Sequence, residues 1–233
     1  MEPSYYPGPD VLLARLTQDQ DISPPAGGPP TEEFLRDLAE RLGLRSHDLF
    51  LVAGMPLPED ALDFDAAAGR RVSLLVQYAL PLSAPDRERL RESARAMAAA
   101  PRPDQPIEPP RQRHYPPGFG PLLVRMLALR NLDRTTVAMV MCLMSGVCMA
   151  SSTIAMVRDG LKDLDAELLD GFAAVLGVPV AVLGTLTGVR PREGSGGLAP
   201  EVADVAALIW EVRHLTEAQV VRLAETAEEL DGE

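Results

Sequence analysis

DRTTVAMVMCLMSGVCMASSTIAMVRDG, residues 133–160, is the stretch whose reading decides the fold. No charged residue occurs from Thr135 to Val157. Six of the nine methionines lie in or just before it (Met126, Met139, Met141, Met144, Met149, Met156), and so do both cysteines, Cys142 and Cys148. An apolar run from Val137 to Met144 stops at Ser145-Gly146, and a second run opens at Ala150-Ser151-Ser152-Thr153. The expected local structure is two short helices about a glycine turn. The stretch is long enough to raise the question of a membrane span, but its six Ser/Thr residues and Gly146 argue against one.

Working outward, residues 119–192 read as five helices, at 120–131, 134–144, 150–159, 165–176 and 179–187. A tail of two more follows within 193–233, at 199–213 and 216–230. Residues 101–118 are proline-rich and read as a semi-rigid, extended linker. Residues 1–100 form a further helical module. VLLARL (11–16) has helical spacing, and 18–30 hold too much proline and glycine for regular structure. Thr31 caps a helix that Gly43 stops, and Ser46 opens a short one closed by Gly54. Residues 66–80 read as one amphipathic helix, and Ser83 with Asp86 caps another that runs to about Ala99.

The two halves resemble each other. YPGPDVLLARL (6–16) is similar to YPPGFGPLLVRML (115–127), and FLRDLAERLGLRSHDLFLVAG (34–54) to LLDGFAAVLGVPVAVLGTLTG (168–188). Capping Ser83 falls on capping Thr216. Arg15 aligns with Arg125 but Leu42 with Leu176, so the second half carries 24 extra residues between those points. These hold the opening stretch, which a Pro/Gly loop replaces in the first half. The fold expected is all-α: two homologous helical modules, the second with the helix pair embedded in it and the first a degenerate copy lacking that pair.

Composition limits the chemistry. Aromatic residues are 4% of the chain, so the core must be Leu, Val, Ala and Met. Lys162 is the only lysine, which reads as the codon bias of a GC-rich bacterial genome. The net charge of −12 excludes a nucleic-acid binder that uses its whole surface. The charge is uneven, however: Arg111, Arg113, Arg125, Arg130 and Arg134 face a single acid, Asp133, within that span. MEPSYYPGPD has neither the basic region nor the apolar run of a signal peptide, so the expectation is a cytoplasmic protein with reduced thiols. Cys142 and Cys148 fit no zinc spacing, and the Met/Cys cluster reads as core filling ahead of a soft-metal site. His47, His114 and His214 are dispersed and read as surface residues, and GSGG (194–197) reads as a linker with no preceding strand. No cofactor, metal or catalytic constellation is expected, hence no enzyme.

ASSTIAMVRDG (150–160) resembles the recognition helix of lambda-repressor-like (XRE-type) helix-turn-helix domains, which commonly run Ser-x-Ser-Thr-Ile-x-x-Ile-x-x-Gly. Ser152, Thr153, Ile154, Val157 and Gly160 fit that pattern. LKDLDAELLDGFAAVLGVPVAVLGTLTG (161–188) resembles the fourth and fifth helices of the same family. The turn here is about two residues longer than the family's. The resemblance implies a DNA-binding transcriptional regulator in which Ser151, Ser152, Thr153, Met156, Arg158 and Lys162 approach the major groove. Arg125, Arg130 and Arg134 would contact phosphate, and the tail helices, with Trp210, would form a homodimer seam. Trp210 reads equally as core.

Two residue-level readings compete with that implication. Ser151 or Ser152 can simply cap a helix. The first turn also carries no Gln, Asn or Arg for a bidentate base contact. The alternative function is a helical interaction or scaffold protein whose decayed helix-turn-helix does not bind DNA. A continuous basic face across Arg125, Arg130, Arg134 and Arg158 would favour DNA, and interposed acids would favour the scaffold.

Overall fold

The computed structural model describes residues 6–18, 29–100, 108, 114–194 and 196–232. Among them every regular element is helical, as the sequence leads one to expect. The first half holds α1 (Pro9–Thr17), α2 (Glu32–Leu42), α3 (Ser46–Val52), α4 (Ala66–Gly69), α5 (Val72–Ala79) and α6 (Ala84–Ala99). The second holds α7 (Phe119–Ala128), α8 (Arg134–Ser145), α9 (Ser151–Arg158), α10 (Ala166–Leu176), α11 (Val180–Thr187), α12 (Pro200–Glu211) and α13 (Glu217–Asp231).

Local chemistry sets these boundaries, and it sets them alike in both halves. Thr31 accepts the Phe34 N–H at the start of α2, and Asp165 accepts the Leu168 N–H at the start of α10. α2 ends at Gly43 with φ +67°, and α10 ends at Gly177 with φ +70°. A residue with a Cβ would be strained in that left-handed conformation, so glycine stands at both ends. Ser83 caps α6 by accepting the Asp86 N–H, and at the start of α13 the Thr216 N–H donates to Gln219 Oε1 at 2.9 Å.

One element departs from expectation. Residues 66–80 are two helices, α4 and α5, not one. The N–H groups of Arg70 and Arg71 bond Ala67 O and Ala68 O, three residues back, which tightens the chain and re-aims it between the two. The bend seats Gly69 against the backbone of Asn131, where a Cβ would lie 1.9 Å from the Asn131 carbonyl oxygen. Asn131 itself donates to Asp65 O at 2.8 Å.

The packing between halves is reciprocal. α5 lies along α13 and α6 along α12; α1 packs on α11 and α3 on α7. In the repeat register α1 matches α7, α3 matches α11, α5 matches α12 and α6 matches α13. Each of these four inter-half pairings therefore has its counterpart with the halves exchanged, the pattern an approximate two-fold relation produces, while the α5–α8 contact has none. The buried residues form one continuous cluster from Leu12 to Ala227. The 193–233 tail is consequently no separate unit: its apolar faces are covered by α4, α5 and α6 of the same chain.

The tail helices, expected to form a homodimer seam, make the following contacts within one chain. Arg87–Asp204 (3.0 Å), Arg91–Glu211 (3.0 Å) and Arg95–Glu211 (3.0 Å) tie α6 to α12. Trp210 lies beneath the Arg213 guanidinium at 3.7 Å and beside His47, with ring centroids 5.5 Å apart. Its partners are intramolecular.

Asp65 joins the halves at another point. Its carboxylate accepts the N–H groups of Ala67 and Glu108 through one oxygen and that of Glu217, the first residue of α13, through the other. The proline-rich segment is thus pinned at Glu108; the rest of 101–113 lies outside the described residues.

Candidate helix-turn-helix surface

Asp133 starts α8 by accepting the N–H groups of Thr135 and Thr136 at 3.0 and 2.8 Å. Gly146, at φ +70°, ends it and turns the chain toward α9. Ile154 and Val157 are fully buried and hold α9 on the core, as their spacing implies. Gly120 allows α7 to approach closely: a Cβ there would lie 2.8 Å from the Val157 carbonyl oxygen. α8 in turn packs on α5 and α10, so the pair rests on a frame supplied by both halves.

The turn is covalently closed. Cys142 and Cys148 form a disulfide, with Cα atoms 4.3 Å apart. This corrects the expectation of reduced thiols. The left-handed turn at Gly146 folds the chain back, so Cys148 meets the last turn of α8.

The two serines do not cap α9. Ala150 occupies the N-cap position and no side chain caps it, leaving Ser151 half-buried and Ser152 exposed in the first turn. Thr153 is half-buried. Met156 is 45% exposed and projects from the helix.

The basic set is not brought together. Arg130 is 0% exposed, which removes it from any phosphate contact. Its Nη1 and Nη2 donate to the two oxygens of Asp48 at 3.0 and 2.9 Å, and to Met126 O and Leu176 O at 2.8 and 3.0 Å. Such a forked pair satisfies both Nη groups within the core, where the low dielectric strengthens it, while the buried Nε–H has no hydrogen-bond partner among the described residues. Arg158 donates to both oxygens of Asp159 at 2.7 and 2.8 Å, and this bond holds its pKa above the ordinary arginine value. Lys162 lies 3.7 Å from Asp165. Arg125 and Arg134 are exposed. Arg111 and Arg113 lie outside the described residues.

What faces solvent instead is apolar. Met139 (50%) and Leu143 (41%) are exposed on α8, and Leu161 (73%) just after α9. Met126, Met141 and Met144 fill the core as expected; Met139 and Met156 do not. Nothing in the sequence marks which methionines face out, since an uncharged run allows either. Near this surface an open cavity of about 680 Å³ lies between α4, the α7–α8 junction and α9. Arg70, Arg134 and Arg158 on its wall are balanced by Glu108, Asp133 and Asp159. Among the described residues no cluster of three or more His, Cys, Asp or Glu is placed to hold a metal, and no helix is long and apolar enough to cross a membrane.

The class this geometry defines is an all-α protein carrying one disulfide-closed helix-turn-helix pair on a two-fold-like helical frame. Comparison with family models, curated proteins and solved structures finds no match to the chain in any of the three.

Proposed function

We propose that this chain is a helical protein-interaction module of scaffold type, built on a helix-turn-helix frame that does not grip DNA. The observation that carries the reading is the burial of Arg130 against Asp48, which breaks the basic face at its centre. Asp159 and Asp165 stand at the two cations beside α9, and the outward face of the pair offers Met139, Leu143 and Met156. Phosphate contact dominates affinity for DNA, and this surface has little to supply it. Symmetric operator recognition needs two reading helices, and the sequence supplies the pair in one half alone.

A DNA-binding regulator is the second reading. It is favoured by the helix order α7 to α11 and by the uncapped N-terminus of α9 with Ser151 and Ser152 in its first turn. Retention of random genomic DNA fragments by the full chain at low and moderate salt separates the two. The scaffold reading expects no salt-sensitive retention. Retention that falls with salt and is lost in Arg125→Glu/Arg134→Glu would overturn it in favour of the regulator.

A further inference from the structure

We infer that the cavity between α4, the α7–α8 junction and α9 binds a small organic acid, an apolar body carrying one anionic group, with that group held by Arg134. At about 680 Å³ the space is of the size that takes a small ligand. Much of its lining is apolar. Phe64, Val124 and Ile154 are buried there, and Ala66, Ala128 and Ala155 are half-buried with side chains too small to close it.

Charge selects the head group. The three arginines and three acids of the wall balance in number but not pair by pair. Arg70 Nη2 donates to Glu108 Oε2 at 2.6 Å, and Arg158 donates to both oxygens of Asp159. Asp133 accepts the N–H groups of Thr135 and Thr136 instead of pairing with a cation. His114 and Tyr115 complete the ionisable side chains of the wall and supply no carboxylate. Arg134 is left exposed, with no hydrogen bond or ion pair among the described residues. A guanidinium grips a carboxylate or sulfonate through its forked N–H groups, so one free cation beside an apolar lining suits one anionic group on an apolar body. A second negative charge on the ligand would face Glu108, Asp133 and Asp159 with no free cation to meet it.

The wall is also set in advance. The Glu108 N–H donates to Asp65 Oδ1 at 3.2 Å and the Glu108 carbonyl accepts the Ala66 N–H at 2.7 Å, so the residue that holds Arg70 is itself fixed. Little ordering remains to be done when a ligand enters. Occupancy of this site does not depend on what docks on the helix pair.

The test uses anilinonaphthalenesulfonate, an apolar dye with one anionic group that fluoresces on leaving water, titrated into the full chain. One dye is expected per chain, displaced by octanoate and at least tenfold less well by its neutral analogue octanamide, the range of a hydrogen bond to a charged group. Arg134→Gln should weaken the dye by about tenfold for the same reason. Ala155→Phe fills the cavity without altering charge and should abolish binding. Circular dichroism checks that both variants keep their helix content. No fluorescence gain on the folded chain, or a gain that both variants leave unchanged, would overturn the site. Equal displacement by octanoate and octanamide would overturn the assignment of an anionic ligand.

Discussion

Replacing Arg130 by methionine is expected to be among the most damaging single changes available in this chain. The side chain and its partner Asp48 are both 0% exposed, and four hydrogen bonds end on the guanidinium. Arg130→Met leaves the Asp48 carboxylate buried without a counter-charge and strips Met126 O and Leu176 O of a donor. Breaking a buried pair in this way costs about 3–5 kcal/mol. In a chain of this size that lowers the melting temperature by roughly 10 °C. Asp48→Leu should cost a similar amount, because it strands the cation. The double variant Arg130→Met/Asp48→Leu buries no charge and should recover most of the loss, so the two effects will be far from additive. Urea unfolding followed by circular dichroism and by Trp210 fluorescence measures all three. A loss below about 1 kcal/mol for Arg130→Met, the range of an exposed position, would refute the burial argument. So would a double variant whose loss equals the sum of the singles.

The disulfide closes a short loop, so Cys142→Ser/Cys148→Ser should lower stability by about 2 kcal/mol. Wild-type protein unfolded in urea with a reductant should match that variant, and a wild type indifferent to reductant would contradict the bond's contribution. Gly69→Ala forces a Cβ onto the Asn131 carbonyl and should cost about 1–3 kcal/mol by thermal unfolding. Gly197→Ala, with open space around it, should stay within about 0.5 kcal/mol of wild type.

The helix boundaries were legible because their causes are local. Thr31, Gly43, Ser83 and Thr216 each act on residues within a turn of themselves, so spacing alone reveals them. The inward direction of Ile154 and Val157 follows equally from helical period. The fate of the arginines was not legible. Arg130 reads as one more cation in a basic run until Asp48, 82 residues away, is packed beside it. The close seating of the α4–α5 bend, with Gly69 against Asn131, is made across the halves, and the covering of the tail depends on α5 and α6. Each is decided by a contact between the halves, which no window of sequence contains. The disulfide lies between: the six-residue spacing was visible, but the turn that brings the thiols together was not.

The reciprocal packing of α5 on α13 and α6 on α12 frees the chain from a constraint that binds every homodimer. In a dimer of identical subunits a substitution enters both sides at once, so a loss on one side is a loss on both. Here each position is encoded once. One half can lack the helix pair that the other carries, and the α5–α13 and α6–α12 contacts still close the shared frame. The tether also makes that frame independent of concentration, since the partner surface is always within reach. Asymmetry of this kind lets one side of a two-fold scaffold acquire a surface that the other need not accommodate.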